Sequence, residues 1–135
     1  SRVFVIVGDG ECNEGSIWEA ATTAAHFAVG NLVCIVDQNG LQYDGPTREI
    51  QDMGDLEAKW RAFGWDSVTV DGHNVGALLA ACQGARNSQR PTAIVARTVK
   101  GKGVSFMEND PAWHHARLSE EQLQRGLHEL EGEGS

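Results

Sequence analysis

Basic residues are in short supply: 11 Lys and Arg stand against 19 Asp and Glu, a formal charge of −8 over 135 residues. Binding a phosphate backbone requires clustered cations that displace counterions, so no nucleic-acid partner is expected and the few bases must act locally. Cysteine is sparse as well. Cys12, Cys34 and Cys82 are odd in number and lack CxxC spacing, which argues against a disulfide framework and a zinc site and for a reducing compartment. No apolar run approaches the roughly 20 residues of a membrane span, and no basic start leads into a hydrophobic signal segment. A cytoplasmic location without a membrane partner is the expectation. An initiator Met is also absent: Ser1 and Arg2 lead at once into an apolar run, and the chain reads as cut from something longer. There is no internal repeat and no low-complexity block.

What is present is enough for one domain. Apolar residues make up 41% of the chain, sufficient for a core of ordinary size. Val3 to Val7 is continuously apolar and β-rich, the form of a strand covered on both faces, which predicts a central parallel strand. Glu14 to Val29 predicts a helix with a small-residue face and a stop at Gly30. Such a face serves either tight packing on a sheet or a subunit interface. Leu32 to Val36 is a second strand, closed by the turn residues Asp37-Gln38-Asn39-Gly40. Further on, helix is expected over Asp52 to Phe63, strand over Ser67 to Val70, helix over Asn74 to Asn87 and strand over Thr92 to Thr98. This alternation predicts an α/β fold, a parallel sheet flanked by helices, with its ligand crevice beyond the carboxyl ends of the strands. A domain over residues 1–118 is expected, followed over 119–135 by a polar helix, capped by Ser119 and Gln122, and a disordered tail from Glu131.

Three features fall at strand ends: Gly8-Asp9-Gly10, Asn39 and Lys100. Gly-Asp-Gly before a helix places backbone N–H groups and a positive helix end where a phosphate could bind, although a plain strand-to-helix turn uses the same residues. Asn39 ends the neighbouring strand of a βαβ unit, so Asp9 and Asn39 can converge. One carboxylate, one amide oxygen and a backbone carbonyl form a hard, incomplete oxygen set suited to Mg²⁺ that also takes phosphate oxygens. The segment from Asp37 to Asp44 lacks the order of an EF-hand. Trp18, Trp60, Trp65 and Phe63 read as core, Cys12 as unactivated, and His73 as part of a strand-to-helix turn with Asn74 as N-cap.

Gly8-Asp9-Gly10 with Asn39, 30 positions beyond Asp9, resembles the thiamine diphosphate fingerprint of transketolases. GDGECNEGSIWEA (Gly8 to Ala20), NLVCIVDQNGLQYDGPT (Asn31 to Thr47), GWDSVTVDGHN (Gly64 to Asn74) and TVKGKGVSFMENDPAWH (Thr98 to His114) are similar to successive transketolase segments, in order. The resemblance covers nearly the whole chain to about His114. It implies part of a thiamine diphosphate-binding fold, the diphosphate domain, with thiamine diphosphate and Mg²⁺ as cofactors. Asp9, the Asn39 side chain and the Leu41 carbonyl would ligate the metal. Gly10 would meet the diphosphate through its backbone, Lys100 would lie near the cofactor, and His114 would contact diphosphate and sugar substrate as the catalytic histidine. Glu14 matches a family glutamate at the subunit interface.

The implied activity is transfer of two-carbon ketol units between sugar phosphates, in an oligomer. The implied partner is a pyrimidine-domain subunit or domain, whose glutamate protonates the aminopyrimidine. A transketolase-like carboligase such as deoxyxylulose phosphate synthase shares the anchor, and a non-catalytic partner-binding module is the reading from another class. One departure stands out. The family usually has Gly after the Trp-His pair, whereas this chain has His115, which would strain the loop if that position needs positive φ.

Overall fold

The computed structural model describes residues 1–132. Four parallel strands, β1 (Val3–Gly8), β2 (Leu32–Gln38), β5 (Asp66–Asp71) and β6 (Thr92–Arg97), form one sheet in the order β1-β2-β6-β5. A two-residue hairpin, β3 (Leu41–Gln42) and β4 (Gly45–Pro46), follows β2 and leads into the short helix α2 (Thr47–Gln51). The remaining helices are α1 (Gly15–His26), α3 (Leu56–Ala62), α4 (Val75–Gly84) and α5 (Glu120–Gly132). The expected parallel sheet flanked by helices is therefore present.

Each face of the sheet has its own core, because successive strand residues point to opposite sides. Cys34, Val36, Ala93 and Val95 pack with Ala21 and Ala24 of α1 and Leu56 and Trp60 of α3. Val33 and Ile94 point the other way, toward Leu78, Ala81 and Cys82 of α4. The small residues of α1 have a definite use. The Ala21 carbonyl accepts a hydrogen bond from Trp65 Nε1 at 2.9 Å, and Gly64 lies so near Ala25 that a Cβ there would sit 3.2 Å from the alanine Cβ. Tight packing thus accounts for Ala21, Ala24 and Ala25. Trp60 and Trp65 are buried as expected, and Trp18 leans on Trp60 and Phe63 at centroid distances of 5.2 and 4.8 Å.

Four local expectations are corrected. Among the described residues β1 is an edge strand, paired only with β2, and Val3, Phe4, Val5 and Ile6 are all exposed, Ile6 to 70%. An apolar run reports that both faces are made for burial, but not which element covers them. The helix expected over Asp52 to Phe63 starts only at Leu56, since Gly54 takes φ +59° and Asp55 caps the helix by accepting the Ala58 N–H. The first helix stops at His26, before Gly30, because Ala28 turns left-handed at φ +49°. Gly30 instead admits close approach of the segment before β6: a Cβ would lie 2.9 Å from the Ser88 carbonyl oxygen. At the other end α5 carries Glu131 and Gly132 as helix rather than disordered tail; the rest of that expectation, residues 133–135, lies outside the described residues. Its capping box is formed as expected, with Ser119 N–H donating to Gln122 Oε1 at 2.9 Å and Gln122 N–H to Ser119 Oγ at 3.2 Å.

The turn after β5 seats against the exit of β6. Gly72 N–H donates to the Arg97 carbonyl at 2.7 Å, and a Cβ on Gly72 would stand 2.5 Å from Thr98 Cγ2 and 2.9 Å from Arg97 O. Gly72→Ala is therefore expected to destabilise the domain by about 1–3 kcal/mol, as overpacking does. A urea titration checks this, and an unchanged midpoint at constant slope would show that the turn has room to shift.

Candidate functional site

The parallel register sets the site. Gly8 pairs with Asp37 and Gln38 with Arg97, so β1, β2 and β6 release Asp9, Asn39 and Thr98–Lys100 side by side at the carboxyl edge of the sheet. Two bonds tie the exits together: Asp9 N–H donates to the Asp37 carbonyl at 3.0 Å, and Thr98 N–H to the Gln38 carbonyl at 3.1 Å. The Thr98 hydroxyl also donates to Asp37 Oδ1. Every residue singled out as a site candidate lines one cavity of about 390 Å³: Asp9, Gly10, Asn39, Leu41, Lys100 and His114. A second cavity, about 370 Å³, opens on the other side of Asp9 and Asn39, toward Arg48, Asp52 and Asn109.

Asp9 is only 3% exposed. Its Oδ1 accepts the Gly10 N–H and its Oδ2 the Gly40 N–H, both at 3.0 Å, so the carboxylate bridges the two strand exits. Burial pushes its carboxyl above the usual range; the Thr47 hydroxyl and the Gly40 and Gly10 N–H groups pull the other way, and the charge of Asp37 adds to the rise. A buried carboxylate held above its usual range is a group that gains from a neighbouring cation. Asn39 Oδ1 accepts the Leu41 N–H at 3.0 Å while its Nδ2 donates to Asp37 Oδ2 at 3.3 Å, which fixes the amide with its oxygen on the Leu41 side.

These residues fit a divalent ion bound together with a phosphate ligand. No cluster of three or more His, Cys, Asp or Glu able to hold a metal occurs among the described residues. An ion here would depend on one carboxylate, amide and carbonyl oxygens, and oxygens brought by the ligand.

Gly10 is required by close approach: a Cβ would lie 2.9 Å from both Cβ and Oε1 of Gln42. Gln42 was not anticipated. Its Oε1 accepts from Asn13 Nδ2 at 3.4 Å, linking the hairpin to the 3₁₀ turn that follows Gly10. Glu11 was also missed; its Oε2 accepts the Gly8 N–H at 2.7 Å at the cavity wall. Neither has a signature in the sequence, since both depend on where the hairpin folds back. Cys12 is fully buried and its thiol is pushed up to about 11, by burial first and then by Asp9 and Glu11, so it stays an inert thiol as expected.

The loop after β6 carries Lys100 and leads to His114, the last residue of a 3₁₀ turn over Pro111–His114. That turn starts where Asp110 Oδ1 accepts the Ala112 N–H at 2.9 Å. The His114 ring meets Tyr43 of the hairpin edge to face, 5.9 Å between centroids. His115 has φ −147°, extended backbone open to any residue, so the strain expected of a side chain at this position does not arise.

Helix α5 braces the same loop. Glu129 accepts the Ser105 N–H at 2.6 Å and the Ser105 hydroxyl at 2.8 Å, and Arg125 lies 5.0 Å above the Phe106 ring. Phe106 in turn meets Trp113, next to His114, at 5.4 Å.

The fold and this edge define the class: an α/β domain that gathers side-chain oxygens and backbone N–H groups beyond the carboxyl ends of its parallel strands, where an anionic ligand could bind. Residues 1–131 match the family model described as transketolase, thiamine diphosphate binding domain, and the chain belongs to that family. It is 43% identical over its whole length to a 6-deoxy-6-sulfo-D-fructose transketolase subunit from a Clostridium species, covering 50% of that protein. It is 37% identical over 98% of its length to an apulose-4-phosphate transketolase subunit from Actinobacillus succinogenes, covering 48% of it. The chain thus spans about half the length of these curated relatives. A transketolase crystal structure from Campylobacter jejuni superposes with a TM-score of 0.89 at 25% identity, over 96% of this chain and 20% of that one. Among the described residues no helix is long and apolar enough to cross a membrane.

Proposed function

We propose that this chain is the diphosphate- and Mg²⁺-anchoring part of a thiamine diphosphate-dependent transketolase, which transfers two-carbon ketol units between sugar phosphates together with a pyrimidine-domain partner. The observation that carries this reading is the convergence of Asp9, Gly10, Asn39, Leu41, Lys100 and His114 on one cavity. Bound there, thiamine diphosphate supplies the carbanion chemistry of ketol transfer. The chain supplies position and charge. Asp9, the Asn39 amide oxygen and the Leu41 carbonyl hold the metal; the Gly10 backbone and the Lys100 ammonium meet the diphosphate. The relatives named as subunits support a division of the site between two chains.

His114 lines the cavity on a turn whose Trp113 packs against Phe106. Its imidazole can donate a hydrogen bond or exchange a proton with a sugar hydroxyl. His114→Ala is expected to lower kcat roughly 100-fold while thiamine diphosphate affinity changes less than about threefold, because the metal ligands remain. Steady-state kinetics on saturating ketose donor checks the split. Full turnover in the variant would leave His114 as a loop residue.

The reading itself is tested by calorimetric titration of thiamine diphosphate into the chain mixed with its partner, with and without Mg²⁺. Binding only with the metal supports it. Binding that ignores Mg²⁺, or no binding in either case, removes it.

A further inference from the structure

We propose that His73, outside the cavity, is a positioning residue for the Lys100 loop: its neutral imidazole accepts the backbone N–H of Val99 and so fixes the direction in which Lys100 enters the site. The consequence for the ligand rests on the thiamine diphosphate reading; the contact itself does not.

His73 Nε2 lies 2.7 Å from the Val99 nitrogen, the residue immediately before Lys100. This is the backbone bond that follows Thr98 N–H to Gln38 in the exit of β6, so an imidazole continues the ladder where the sheet has ended. The histidine is held for that task on its own side. Its backbone N–H donates to Asp71 Oδ1 at 2.9 Å, and Asn74 caps α4 by accepting the Ala77 N–H at 3.0 Å. The preceding Gly72 is pressed against Thr98 and Arg97 with no space for a side chain, so the turn cannot slide along the exit. Beyond Val99 the loop has its own bonds, Lys102 N–H to the Val99 carbonyl at 3.2 Å and Asn109 N–H to the Lys100 carbonyl at 3.0 Å. Position set at Val99 is therefore passed to Lys100 and to the chain leading to His114.

A ring nitrogen accepts an N–H only while it keeps its lone pair. The His73 contact requires the tautomer with the proton on Nδ1, and a second proton turns the acceptor into a donor facing a donor. Charged groups near His73 include Asp71 in its own turn, Glu108 of the loop, which Lys102 approaches to 3.5 Å, and Arg97, paired in register with Asp71 at the end of β6.

The experiment follows Val99 amide exchange by NMR in the full chain mixed with its partner, at one fixed pH and corrected for intrinsic rates. In the native chain the Val99 amide is expected to be protected, and in His73→Ala its exchange is expected to be at least about tenfold faster, since the acceptor is lost. His73→Gln, whose Oε1 can take the place of Nε2, is expected to retain the protection. Thiamine diphosphate affinity with Mg²⁺ and the partner present should weaken about three- to tenfold in His73→Ala, the effect of one hydrogen bond, and stay within about twofold in His73→Gln. Equal Val99 exchange in the native and alanine chains would overturn the contact. Altered exchange with unaltered affinity would overturn the positioning role. Failure of the native protein to bind thiamine diphosphate at all is a separate result: it would remove the proposed function while the Val99 data still judge the latch.

Discussion

Asp9→Ala is expected to weaken Mg²⁺-dependent thiamine diphosphate binding by roughly 100-fold or more, about 2.8 kcal/mol, while the domain stays folded and soluble. Asp9 is the only carboxylate among the proposed ligands, and its two oxygens also join the exits of β1 and β2 through Gly10 and Gly40. Calorimetry on the assembled protein decides the matter, and native affinity in the variant would defeat the metal assignment. The pH dependence has an unusual sign. Burial holds the Asp9 carboxyl above the usual range, so in the metal-free chain its favourable contribution to stability belongs to the protonated form and is lost as pH rises through its titration. A cation reverses this, because it binds the ionised form and releases the proton. The thermal shift produced by Mg²⁺ with thiamine diphosphate should therefore be larger at about pH 7.5 than at about pH 5.

The 135-residue chain supplied alone, with saturating cofactor and Mg²⁺, is expected to show no ketol transfer and to self-associate. The proposed ketol-transfer cycle would require an acid within hydrogen-bond reach of the aminopyrimidine, in a site closed to water. The acids at the cavity wall have other partners: Asp9 joins two strand exits, Glu11 accepts the Gly8 N–H, and Asp37 receives Thr98 and Asn39. Association follows from β1. Phe4 and Ile6 share a sheet face with Val33 and Ile35 by register, yet they extend past the cover of α4 and stand open, as do Val3 and Val5 on the other face. An apolar edge of this kind favours contact with another chain. A coupled ketol-transfer assay beside light scattering is the measurement. Robust activity in a monodisperse preparation of this chain would end the divided-site reading.

Much of this architecture is legible in the residues themselves. Continuous apolar runs ending in Gly-Asp-Gly and Asp-Gln-Asn-Gly mark parallel strands, and parallel pairing alone then brings Asp9 beside Asn39. The order of strands is not legible in that way. Val3 to Val7 and Thr92 to Arg97 look alike as sequences, yet one is an edge and the other lies between β2 and β5. The boundary at Leu56 was hidden because Met53 and Leu56 continue a helical apolar spacing across Gly54, whose left-handed backbone breaks it. Gln42, Glu11 and the imidazole of His73 act through contacts set by tertiary folding, for which sequence spacing has no mark.

The arrangement of the tryptophans has an optical consequence. Trp18, Trp60 and Trp65 lie in one chain of contacts, at centroid distances of 5.2 and 4.7 Å, with Trp60 and Trp65 inside the core beneath the sheet and Trp18 half-buried against it. Trp113 stands apart, half-buried beside His114 on the loop that borders the cavity. Light emitted by the first three reports whether the domain is intact, whereas light from Trp113 reports the surroundings of the mouth. A ligand that orders this loop changes one emitter of four and leaves the others as an internal reference, so occupancy and folding can be followed in the same spectrum without adding a dye.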